Sequence, residues 1–131
     1  MGVFNDIQNA LTNELAGISG LPTIYNENVE DTHVRGTSYL RPTNLPAKSE
    51  LFTLNNESWH PGIYQVDIFT PIKKGTAPAL LIADAIAEHF KRLSLTSGST
   101  IVHVQEISIS QARRVESWWN CYVEINYFCV A

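Results

Sequence analysis

The last stretch of the chain constrains its fold more than any other. From Ser117 to Val130, Trp119, Cys121, Val123, Ile125, Tyr127 and Cys129 alternate with Asn120, Glu124 and Asn126. A period of two sends successive side chains to opposite faces of an extended chain, so this stretch is a strand and not a helix. At about 14 residues it is more than twice the usual five or six. Its second face is not purely polar, because Trp118, Tyr122 and Phe128 lie there too. One face covers the core of this chain. The apolar residues on the other call for a second cover, and a neighbouring subunit supplies one. Trp118, Tyr122 and Phe128 are therefore candidate interface residues. Cys121 and Cys129 share a face of the strand, separated by about 26 Å at ~3.3 Å per residue. A disulfide needs Cα atoms within roughly 7 Å, so the two are expected to be free, buried thiols suited to a reducing cytoplasm.

Working outward from that strand, Gly62 to Thr70 is a second clear one, with Tyr64, Val66 and Ile68 on one face and Gln65 and Asp67 on the other. Thr100 to Ser110 is a third, joined to the last strand by a hairpin loop over 111–116 that carries Arg113 and Arg114. Ser38 to Leu45 is extended, and Pro42 places it at an edge or a bulge. A short extended piece covers Thr23 to Asn26, a long polar loop Asn26 to Thr37, and a short strand Glu50 to Leu54 before a turn at 55–58. Phe4, Ile7, Leu11, Leu15 and Ile18 form the apolar stripe of a helix over 3–16, closed by Gly17 and by Gly20-Leu21-Pro22. Ile82, Ile86, Phe90 and Leu93 form that of a second helix over 78–93, opened by Pro78. The order predicts a single α+β domain over 1–131, with a mostly antiparallel sheet flanked by two helices.

Charged residues make up only 17% of the chain, a low share that hints at surface covered by something other than water. Residues 1–60 hold seven acids and three bases, whereas residues 61–131 hold six of each. This distribution leaves no basic face to grip DNA phosphates, so specific nucleic-acid binding is not expected. Lys73-Lys74 and Arg113-Arg114 are two compact basic pairs, too few for DNA affinity but suited to salt bridges with an acidic patch of a neighbour. No basic region followed by an apolar run opens the chain, and no apolar stretch nears the ~20 residues of a spanning helix, so neither a signal peptide nor a membrane partner is expected.

The search for chemistry returns little. His33, His60, His89 and His103 lack metal-ligand spacing, and neither CxxC nor HExxH occurs. No phosphate-binding glycine loop or nucleophile elbow is present. Asp84 and Glu88 share a helix face and can do acid–base work only if burial separates their pKa values. A solvated face opposite the Ile82/Ile86/Phe90 stripe explains them better. His60 reads as a loop residue before Pro61, His89 as a favourable charge at a helix end, and His103 as a satisfied strand histidine. The chain is expected to be no enzyme and to need no cofactor or metal.

The opening helix (Ile7, Leu11, Leu15) leads to P-T-I-Y-N-E-N at 22–28 and S-Y-L-R-P at 38–42. Then come G-I-Y-Q-V-D-I-F-T-P at 62–71, Lys74-Gly75, A-D-A-I-A-E-H-F at 83–90, and the hairpin ending in Trp118 to Tyr127. Taken together, this pattern, densest from 62 to 90, resembles the tail-terminator-like proteins of siphophages. The resemblance implies a virion protein, assembled in the host cytoplasm, of which six copies form a ring. The ring caps the tail tube, stops polymerisation of tube protein and meets the head-side neck, and genomic DNA passes through it without specific binding. It implies no catalytic residues. The alternatives are a head-completion or head–tail connector subunit of the same neck, and a small α+β ligand-binding domain or enzyme using Asp84, Glu88 or His103.

Overall fold

The computed structural model describes residues 3–24, 38–46, 50–51, 58–71, 77–91, 93–97, 100–116 and 118–130. Helix α1 spans Val3–Ala16 and helix α2 spans Ala77–Phe90. The strands are β1 (Thr23–Ile24), β2 (Tyr39–Pro46), β3 (Glu50–Leu51), β4 (Ser58–Pro71), β5 (Ser94–Ser97), β6 (Thr100–Ile109), β7 (Arg113–Val115) and β8 (Trp118–Val130). They form one sheet in the order β1-β2-β4-β8-β6-β5, with β3 also on β4 and β7 also on β8. Among the described residues only the β1–β2 pairing is parallel. The α+β, mostly antiparallel architecture expected from the sequence is present.

Strand alternation decides where the core lies. Tyr64, Val66 and Ile68 pair with Ile125, Val123 and Cys121, so directly opposed side chains share one face. All six are fully buried. Both helices use this same face. Thr12 of α1 lies 3.4 Å from the Tyr64 hydroxyl, and the Cys121 thiol donates to the Ala79 carbonyl of α2 at 3.6 Å. Ile7, Leu11 and Leu15 of α1 and Ala79, Ala83, Ile86 and Phe90 of α2 complete one core. The helices are also tied to each other, the His89 Nε2–H donating to the Glu14 carboxylate at 2.6 Å. The sheet is therefore covered by helices on one side, and no described helix packs on the other.

Several local expectations shift. Strand β4 begins at Ser58, not Gly62, and runs straight through Pro61. Pairing with β2 ends at Gly62 and pairing with β3 starts at Trp59. Pro61 falls in the gap, where no described neighbour on that side needs its missing N–H. His60 is accordingly a strand residue, its ring edge-on to Phe4 at 5.5 Å. Among the described residues Pro42 sits at an edge, because β1 there pairs only with Tyr39 and Leu40. Helix α2 stops at Phe90, three residues short of Leu93, and the chain turns at once into β5. Phe4 is half exposed, so the buried stripe of α1 begins at Ile7.

Strands β6 and β7 are one interrupted partner of β8. Val104 pairs with Tyr127 and Glu106 with Asn126, so Gln105 is an extra residue. A second extra residue falls between Ile109, opposite Val123, and Arg113, opposite Asn120. The first is a β-bulge, which bends the strand and sharpens its twist, and the second lies in the break between the two strands. Ser110 holds the second one together: its N–H donates to the Tyr122 carbonyl at 2.9 Å and its Oγ accepts from the Tyr122 N–H at 2.8 Å.

Core burial has a measurable consequence at high pH. Burial, with a smaller contribution from the Asp67 charge, pushes the Cys121 thiol from 9.0 up to about 11. Burial likewise lifts the Tyr127 hydroxyl from 10.0 to about 12, against the opposing hydrogen bond to Asn44. The folded state holds both protons more tightly than the unfolded chain. This stability is present in full below about pH 9, is lost first as pH rises from 9 to 11 through Cys121, and then through Tyr127. The urea midpoint should hold steady up to about pH 9 and fall above it. Burial raises the Cys129 thiol as well, so Cys121→Ala should lessen the earlier part of the fall without abolishing it, and an identical curve for that variant would refute the assignment.

Candidate functional site

The face of the sheet opposite the helices collects the unusual side chains. Tyr39 on β2, Phe69 on β4 and Trp118 on β8 meet there. Tyr39 stacks on Phe69 at 4.7 Å and takes the Trp118 ring edge-on at 5.2 Å. The Arg41 guanidinium lies 6.0 Å from the Tyr39 ring centre. At the other end of β8, Phe128 stacks on His103 at 4.9 Å, and His103 Nδ1 is 3.1 Å from the Ser94 hydroxyl. Between the two aromatic groups lie Tyr122, Glu124 and Asn126 of β8 and Gln65 and Asp67 of β4.

Asp67 is the electrostatic centre of this face. It pairs with Arg41 across β2–β4 and with Tyr122 across β4–β8. Burial pushes its carboxyl above the usual carboxylate range, although hydrogen bonds from Gln65 and Asn120 and the charges of Arg113 and Arg41 pull it down. Asn120 is itself buried and donates to the Ile68 carbonyl at 3.3 Å.

The residues singled out in the sequence are only partly brought together. Trp118, Tyr122 and Phe128 are all half-buried on this one face. Lys73 and Lys74 lie outside the described residues. Arg113 and Arg114 are not in a loop: they form β7, a strand that sequence reasoning missed because three residues offer too short a pattern. Alternation sends them to opposite faces. Arg113, opposite Asn120, shares the face of Asp67, and Arg114, opposite Trp119, lies on the helix side. Arg114 Nε donates to the Glu116 carbonyl at 3.1 Å, across a tight turn in which Glu116 takes φ of 55°.

The acid–base candidates are kept apart. Asp84 and Glu88 are exposed on α2, on the helix side of the sheet, whereas His103 faces the other way against Phe128. Asp84 and Glu88 line an open groove of about 710 Å³ between α2 and β6, with Ala85, Ala87, Lys91 and Ile107. Such an open site cannot exclude water from a reaction. Among the described residues no group of His, Cys, Asp or Glu has the arrangement to hold a metal ion, and no helix is long and apolar enough to cross a membrane. Sequence reasoning also missed the His89–Glu14 pair, whose partners lie 75 residues apart.

Comparison with known proteins gives three findings. A family model described as "Phage tail terminator protein" matches residues 6–127. No curated protein sequence matches the chain. Among solved structures, one of a protein with no stated activity superposes with a TM-score of 0.76 at 24% identity, covering 95% of this chain and 94% of its own. Another, from the virion of a native gene transfer agent particle, superposes at 0.75 with 15% identity, covering 99% and 98%. At these identities the two structures share the fold.

Proposed function

The chain belongs to the phage tail terminator family, and on that premise we propose that it is the ring subunit that closes the tail tube. A structural tail protein located in the virion is the level at which the family match itself speaks. In the finer reading, copies of the chain, six in number, assemble into a ring at the end of the finished tube. They halt addition of tube protein and offer a surface to the head-side neck, while DNA passes through the ring without being gripped.

The observation that carries this reading is the match over nearly the whole chain, residues 6–127. The aromatic sheet face supports it. Trp118, Tyr122 and Phe128 are half-buried on a face without a described helix, the surface a monomer has least reason to keep. Together with Arg113, Arg114, Lys73 and Lys74 they are proposed to contact neighbouring subunits. The absence of a basic face accords with a channel that DNA traverses freely.

Electron microscopy of the purified protein and of tails assembled with and without it tests the proposal. The expected images are rings with a central hole, found on the ends of headless tails, and overlong tubes when the protein is withheld. Protein found on tailless heads and missing from headless tails would transfer the chain to the connector side of the neck.

A further inference from the structure

A closed ring needs two different complementary patches on each subunit, because its contacts are heterologous. We infer that these patches are the β7–β8 hairpin tip and the groove between α2 and β6, and that the tip of one copy seats in the groove of the next. This rests on the ring reading above and names the surfaces through which it would work.

The groove has the character of a docking site. Its apolar lining is Ala85, Ala87 and Ile107, and the elements that form it also carry Leu81, which is 68% exposed, with Leu80 and Ile109 at 38% each. Helix α2 thus turns apolar side chains outward as well as toward the core. Among the described residues the groove's rim carries Asp84 and Glu88 against Lys91, and neither acid has a salt-bridge partner there, the ion pair being Glu14–His89.

The hairpin tip is its counterpart in charge. Arg113 and Arg114 are both exposed, and neither has a carboxylate within salt-bridge distance among the described residues. Arg113 feels Asp67 only at longer range, and Arg114 reaches the Glu116 backbone, not its carboxylate. The two arginines point to opposite faces of β7, the outer strand of a three-stranded end in which β8 is also paired with β4, so this end offers a cation on each face. Two exposed acids beside a single described lysine and two exposed arginines, each group beside apolar side chains, are complementary in sign. Steering by such charges and burial of Leu81 favour a second copy over nucleic acid, which the acidic rim repels.

Charge reversal in both directions tests this on the full chain. Asp84→Lys with Glu88→Lys, and separately Arg113→Glu with Arg114→Glu, should each lower the ring fraction roughly thirtyfold or more at fixed protein concentration. Asp84 and Glu88 are exposed, so thermal melting of that monomer should match the parent; the Arg113 reversal sets a like charge near Asp67 and should lower melting somewhat without unfolding the chain. Combining the four substitutions restores opposite signs across the contact and should bring rings back. Rings that persist in either reversed pair, or a quadruple variant no better than the pairs, would overturn the inference and leave the ring itself standing. If the parent chain forms no ring either alone or on tail ends, the reading beneath it falls as well.

Discussion

Replacing Gly62 with alanine should destabilise the domain by roughly 1–3 kcal/mol, and with valine by more. Gly62 sits opposite Tyr127 in the β4–β8 ladder, and the tyrosine ring lies across it. A Cβ at position 62 would meet the Tyr127 Cζ at 2.6 Å, with the Leu45 carbonyl at 3.1 Å. The ring cannot simply swing away, because its hydroxyl donates to Asn44 Oδ1 at 2.7 Å and it is 1% exposed. Tyr127→Phe alone should cost about 1 kcal/mol for the lost hydrogen bond. The double variant should cost less than the sum, since the hydroxyl is part of the clash, yet should not recover fully, since Cζ remains. Denaturant midpoints of the four proteins decide the matter. A Gly62→Ala variant as stable as its parent, or strictly additive costs, would show that the ladder yields where it is argued to be tight.

Phe90→Ala should cost about 3–5 kcal/mol. The side chain is fully buried in the core shared by both helices and the sheet. It also closes α2, its carbonyl accepting the Leu93 N–H at 3.2 Å as the chain turns into β5. Small domains have only about 5–15 kcal/mol in total, so this single cavity should bring the chain close to unfolding at growth temperature. Urea denaturation should show a lower midpoint with an unchanged slope. A loss below about 1 kcal/mol would mean that the site collapses around the missing ring, against the close packing inferred for it.

The parts of the fold that were legible in the sequence are those with long, uninterrupted periodicity. The alternation from Trp118 onward located β8 almost to the residue, and Tyr64, Val66 and Ile68 located the centre of β4. The stripes Ile7/Leu11/Leu15 and Ile86/Phe90 located the helices. What escaped lacked a local signal. The strand was started at Gly62 and His60 read as loop, because only the pairing gap between β2 and β3 makes Pro61 harmless inside β4. Strands β5 and β7 are four and three residues long and exist by virtue of their partners. Helix α2 is apolar on nearly every side, A-P-A-L-L-I-A at its start. Periodicity could find the stripe toward the core but not single out Leu81 as exposed.

The same division holds for the site. Parity alone put Trp118, Tyr122 and Phe128 on one face, and the structure has them there. Arg113 and Arg114 had no strand assigned to them, so no count was carried to them; each of the two extra residues upstream flips the facing, and the two flips cancel before β7 is reached. The resemblance to the terminator family came from order and spacing along the whole chain, and the family match covers nearly all of it.

Those extra residues carry one more implication. Gln105 is opposed by no residue of β8, and Val104 and Glu106 already face opposite sides. Removing Gln105 would therefore leave every other side chain pointing as it does now. What would change is curvature, since a bulge is where a ladder bends. Shape and facing are thus encoded separately in this hairpin. In any closed assembly of such subunits, the angle between neighbours sets how many copies complete the circle. A one-residue insertion in a single strand is then a geometric dial on that number, adjustable without repacking the core.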